Sequence, residues 1–151
     1  MKCVFITLTF LSFSFILYAQ TAEDSVKAVI NTLLAGMKNA NADLVKTAFS
    51  DNAVLQTITR NKEGKTTVVS DKVDAFASLV GTLKKDSADE RIVFESIKID
   101  GPLAMVWTPY NFFYNGKFSH CGVNSFQLVR FDGAWKIQYL IDTRRKQGCV
   151  N

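Results

Sequence analysis

The chain has one histidine, His120, and it is the residue best suited to proton chemistry. An imidazole titrates near neutral pH and can take or give a proton. Moving a proton beside a carbonyl or hydroxyl needs such a base, together with a hydrogen-bond donor for the developing oxyanion. Tyr110, Tyr114, Tyr139 and Asn124 stand in the same stretch, Gly101 to Arg145, and are the candidate donors. The competing reading of His120 is structural, a ring hydrogen-bonded to a neighbour.

Two carboxylates are alternatives. Asp51 follows a short helical segment and can serve simply as a turn cap. Asp142 closes a strand-like run beside Arg144 and reads as a surface ion pair. The aromatics Trp107, Phe112, Phe113, Tyr114 and Phe126 can stack on a flat ligand or simply fill a core. Polar tips within an apolar pocket orient a ligand, which brings in Tyr110, Asn124 and Tyr139. The expected ligand-binding set is therefore Trp107, Tyr110, Tyr114, Asn124, Phe126 and Tyr139, with His120 as the candidate catalytic group. One histidine with Cys121 beside it on the opposite strand face supplies no metal-ligand set of usual spacing. No phosphate-binding glycine loop is present, and no cofactor is expected.

The elements that must position these residues follow from periodicity. Ala22 to Lys38 carries apolar residues at helical spacing (Val26, Val29, Ile30, Leu33, Leu34, Met37), with Thr21 and Asp24 as a weak capping box. Asn41 or Asp43 caps a short second helix through Phe49. Ser50 to Asn52 is expected as a turn. Ala53 to Thr59 and Thr66 to Val69 form a hairpin around Gly64. Ser70 or Asp71 caps a third helix through about Leu83. Lys84 to Glu90 is a polar connector. Strand-like runs follow at Ile92 to Ile99, Leu103 to Tyr114, Phe118 to Phe131 and Ala134 to Asp142, the last three joined by Asn115-Gly116 and Asp132-Gly133 turns. The order is α+β, with helices on one face of an antiparallel sheet.

The Asp132-Gly133 turn sets an expected register. Phe131 pairs with Ala134, Leu128 with Ile137, Phe126 with Tyr139 and Asn124 with Ile141. Side chains alternate across a strand, so His120, Asn124, Phe126 and Tyr139 are expected on the helix-facing side and Asp142 on the other.

Lys2, the apolar run Val4 to Tyr18 and the following Ala19 match a secretory signal peptide spanning residues 1–19, with cleavage after Ala22 as the alternative site and a retained N-terminal anchor as the competing reading. The run is shorter than the roughly 20 residues of a membrane span. The expected mature domain, residues 20–151, carries 17 Lys and Arg against 14 Asp and Glu, a net charge of +3 instead of +4. That balance is too mild for a nucleic-acid binder, and Arg144-Arg145-Lys146 reads as a solvated end. Export is expected, periplasmic or extracellular, with no membrane association after cleavage. Cys121 and Cys149 remain, and they pair only if the tail after Arg145 folds back on the sheet.

With these residues in place, the chain resembles the nuclear transport factor 2-like superfamily, most closely the bacterial proteins labelled "putative lumazine-binding" or SnoaL-like. The likeness spans about Ala22 to Thr143. It rests on the element order, on Phe49-Ser50-Asp51-Asn52-Ala53-Val54, on Trp107-Thr108-Pro109-Tyr110, on the run from Gly116 through His120 to Arg144, and on the Asp132-to-Ile137 ending. The resemblance implies a cone: a curved antiparallel sheet around a pocket, with three helices from the N-terminal half over its concave face. Superfamily members include isomerases, dehydratases, cyclases and binding proteins, so fold alone does not determine function. The expected function is binding of a small apolar or aromatic ligand. The alternatives are a cofactor-free isomerase, dehydratase or cyclase using His120, and a ligand-free module that dimerises through the outer sheet face.

Overall fold

The computed structural model describes residues 21–150. The proposed signal segment, residues 1–19, lies outside them. Helix α1 (Ala22–Lys38) starts at Thr21, whose hydroxyl accepts from the Asp24 amide at 3.1 Å. It buries Val26, Ile30 and Leu33, the apolar stripe read from the periodicity. Helix α2 (Ala42–Thr47) is capped by Asn41, which accepts from the Leu44 amide at 2.9 Å. The two helices touch at Gly36, where an added Cβ would come within 2.8 Å of Val45 Cγ2. Helix α3 (Val73–Gly81) starts after Lys72 with no side-chain cap, two residues shorter at its end than the apolar spacing suggests.

The strands are β1 (Phe49–Arg60), β2 (Thr66–Asp71), β3 (Ala88–Ile92), β4 (Ser96–Asp100), β5 (Leu103–Tyr114), β6 (Lys117–Phe131) and β7 (Ala134–Arg145). They form one seven-stranded sheet in the order β2-β1-β7-β6-β5-β3, with β4 also on β5. All neighbours are antiparallel except β1 and β7, which run parallel. No turn joins those two, so nothing local forces them to oppose. The helices cover one face, and the apolar core between comprises Val26, Ile30, Val45, Val106, Phe126, Leu128 and Ile137 among others.

Three expectations change. Ser50 to Asn52 is not a free turn, because β1 already begins at Phe49 and these residues bulge from it. The connector before Arg91 contains most of β3. The run from Ile92 to Ile99 is also two strands, β3 and β4, docked at opposite ends of one edge of β5. Pro109 lies at their junction. Proline has no N–H to offer that edge, and its carbonyl accepts from the Val93 amide at 2.9 Å instead.

The expected register holds from Phe131–Ala134 to Leu128–Ile137 and then fails. Gln127 pairs with Tyr139, leaving Gln138 as an extra residue. A bulge of this kind reverses which face every later side chain takes. Its cause lies in the adjacent strand. Gln138 accepts from Ser50 Oγ at 2.8 Å and donates to the Asn52 carbonyl at 3.1 Å, filling the irregular stretch where β1 departs from β7. Beyond it Phe126 opposes Leu140 and Asn124 opposes Asp142.

The tail does fold back. Cys121 and Cys149 form a disulfide with Cα atoms 5.6 Å apart, and Asn111 Nδ2 donates to the Val150 carbonyl at 2.8 Å. A bridge across 28 residues restrains the unfolded chain by about 3–4 kcal/mol. Cys149→Ser is therefore expected to lose about 3 kcal/mol in chemical denaturation, and reductant should cost the native chain the same while leaving the variant unchanged.

Candidate functional site

The concave face of the sheet and the helices above it enclose a cavity of about 480 Å³. Its upper wall is apolar: Leu33 and Met37 from α1, and Phe76, Leu79 and Val80 from α3. Its sheet wall alternates with the pleat. Strand β5 contributes Tyr110, Phe112 and Tyr114, β6 contributes His120, Asn124 and Phe126, and β7 contributes Leu140, Asp142 and Arg144. Short β3 adds Ala88 and Glu90, and β1 adds Leu55 and Thr57.

Five of the seven residues expected at a site, His120, Tyr110, Tyr114, Asn124 and Phe126, line this cavity. The other two do not. Trp107 pairs with Ser125 on the outer face and is 43 % exposed, because its position in β5 has the opposite parity to Tyr110. Tyr139 is turned away by the Gln138 bulge, and its hydroxyl donates to Gln56 Oε1 at 2.7 Å. The same reversal brings Asp142 inside, where it is buried rather than at the surface. Asp51 lies away from the cavity, in the bulged start of β1.

The polar floor has two parts. Asp142 is surrounded by donors: Thr57 Oγ1 at 2.6 Å, Tyr110 OH at 3.1 Å and Arg144 Nε at 3.0 Å. The Arg144 guanidinium also donates to Thr57 Oγ1 at 3.2 Å. Burial, reinforced by the Asp142 and Glu90 charges, raises the Tyr110 phenol and keeps it a donor. Tyr110 approaches this strand closely because residue 122 is glycine. A Cβ there would lie 2.8 Å from the tyrosine ring and overlap the Thr143 carbonyl.

The second part is Glu90, which accepts from Asn124 Nδ2 at 2.8 Å. Burial raises its carboxyl to about 7. Asn124 opposes that rise, nearby Asp142 adds to it and Arg144 offsets part of it. Glu90 is half-buried, and its open side lines the cavity. His120 packs tilted against Phe112, ring centroids 5.0 Å apart, and edge-on to Tyr110 at 5.7 Å. Burial and then the Arg144 charge lower its pKa, so the ring is neutral at pH 7, with Ser119 Oγ 3.1 Å from Nδ1. The floor thus holds an imidazole and a carboxyl raised to about 7, beside a fixed donor cluster. Among the described residues no group of three or more potential metal ligands gathers.

Glu90, Asp142, Arg144 and Thr57 are the residues that sequence reasoning missed. Glu90 had a signal: Ala88, Glu90 and Ile92 alternate, which marks a strand face inside the apparent connector. Asp142 and Arg144 had none, since their facing depends on the bulge.

A family model described as "Putative lumazine-binding" matches residues 21–139. No curated protein matches the chain. A nuclear transport factor 2-like protein of unknown function from Shewanella baltica is similar, with a TM-score of 0.64 at 15% identity over 83% of this chain and 94% of that one. Another from Shewanella oneidensis gives 0.63 at 14%, covering 82% and 99%. A protein with a cystatin-like fold from Nostoc punctiforme gives 0.65 at 11%, covering 84% and 95%. Likeness at these identities shows the fold.

Because Glu90 binds its proton more tightly folded than unfolded, it favours the fold at acid pH, and that contribution is lost as pH rises from about 4.5 toward 7. Glu90→Gln removes the titration. The variant is expected to have a higher denaturation midpoint than the native chain at pH 8, with the gap closing below pH 4.5. A gap independent of pH would contradict the assignment.

Proposed function

This chain belongs to the "Putative lumazine-binding" family of the nuclear transport factor 2-like superfamily, and we propose that it binds a small, largely apolar or aromatic molecule inside the cone. The observation that carries this reading is a cavity of about 480 Å³ with an apolar wall and one polar floor. That size and composition suit a ligand site, where apolar contact gives affinity and a few polar groups give orientation. Phe112, Tyr114 and Phe126 supply the aromatic surface, and Asn124, Glu90 and the Asp142 cluster supply the polar partners.

The protein is proposed to act outside the cytoplasm. The signal-like start supports this, and so does the Cys121–Cys149 disulfide, a bond characteristic of oxidising compartments. It is further proposed to be a homodimer through the outer sheet face, where exposed Trp107 stands beside Ser125 and Gln127. Native mass spectrometry of protein from its own host tests all three proposals. A retained small molecule, a chain processed near Ala19 and a doubled mass are expected. Leu140→Trp, which fills the cavity, should lose the small molecule while keeping the other two. Retention of the molecule by that variant would overturn the site.

One observation favours a second reading, cofactor-free proton-transfer catalysis. His120, an imidazole, and Glu90, a carboxyl raised by burial to about 7, both face the cavity. His120→Ala should then abolish turnover of a ligand it still binds. Turnover that survives the substitution would remove His120 from the reaction.

A further inference from the structure

Glu90 and Asp142 share the floor of the cavity, but their surroundings differ. Asp142 accepts from three side chains, one of them a guanidinium. Glu90 receives a single amide hydrogen, from Asn124, on Oε1. Among the described residues no ion pair reaches Glu90, and no side chain donates to its Oε2. A carboxylate enclosed by protein without a cation is costly, and a positive partner relieves that cost.

The other charged or titratable groups around the cavity do not supply that partner. Arg144 is engaged by Asp142 and Thr57. His120 is kept neutral by burial and by Arg144. Tyr110 is committed as a donor to Asp142 or the Thr143 carbonyl. Tyr114, a phenol on the lining, supplies no cation, and Asp71 adds a third acid. Three acids therefore face one guanidinium, so the interior attracts positive charge. Phe112 and Phe126 add ring faces, which attract cations as well as apolar bodies.

We propose that the cavity takes an organic cation: a small apolar or aromatic molecule bearing a protonated amine, with its ammonium seated on Glu90. This rests on the small-molecule reading above and names the chemical class of the ligand. The ammonium satisfies Glu90, and the apolar body lies against the rings and the helix-side wall. Binding favours the ionised carboxylate, so a complex formed near or below neutral pH releases the Glu90 proton.

The test uses three probes of one shape on the full chain, followed by calorimetry: 2-naphthylmethylamine, 2-naphthylmethanol and 2-naphthoate. The amine is expected to bind at least about tenfold more tightly than the alcohol at about pH 8, and the carboxylate more weakly than both. From about pH 8 to about pH 6 the amine should lose about tenfold as Glu90 takes up its proton, while the alcohol stays constant. Glu90→Gln should remove both the amine preference and its pH dependence while retaining alcohol binding. Should that variant fail to fold, the pH series on the native chain decides alone. Equal affinity for amine and alcohol overturns the cation proposal but leaves the binding reading intact. Failure of every probe to bind overturns both.

Discussion

One extra residue in the last strand determines what this cone can hold. Gln138 leaves the ladder between β6 and β7 and fills the irregular start of β1 with two hydrogen bonds. Without it, Tyr139 and Ile141 would face the cavity, and its wall there would be larger and more apolar. With it, Leu140, Asp142 and Arg144 turn inward. A strand has only two faces, so a single insertion exchanges the complete set of side chains beyond it. The floor of the site is therefore set about two residues away from the nearest group that could touch a ligand.

The turned-in polar groups satisfy one another unequally. Asp142 lies among three donors and needs nothing more. Close approach of Tyr110 to β7 requires glycine at position 122, since a side chain there would collide with both the ring and the Thr143 carbonyl. Glu90 is less well served, with one amide partner. Its carboxyl pays for desolvation by holding its proton up to about 7. Such incompletely compensated groups are rare in a core that exists only for stability, and they concentrate where a protein meets a ligand.

The outer face carries a different constraint. The disulfide from Cys121 to Cys149 pins the chain end beside β6, and Asn111 holds Val150. His120, next to Cys121 but on the opposite strand face, is thereby part of a segment clamped from outside. The wall that carries His120 and Asn124 is held by hydrogen bonds to β5 and β7 and by a covalent link at its edge.

Much of this was legible in the amino-acid sequence. Helix α1 and its cap, the two glycine turns, the α+β order and the inward facing of His120, Asn124 and Phe126 all follow from local periodicity and turn chemistry, which act within a few residues, while the cone was implied by the family resemblance. Trp107 faces out by parity within its own strand and Glu90 lies in a legible alternation, but the turning-out of Tyr139 and the burial of Asp142 depend on what lies alongside in space. Gln138 bulges because Ser50 and Asn52, far away in the chain, offer it partners, and Glu90 matters because β5 and β6 bring Asn124 to it. The sequence by itself determined the elements and the apolar lining. Only the tertiary structure decided the polar floor, because strand register across non-local pairs is a property of neighbours that no local pattern encodes.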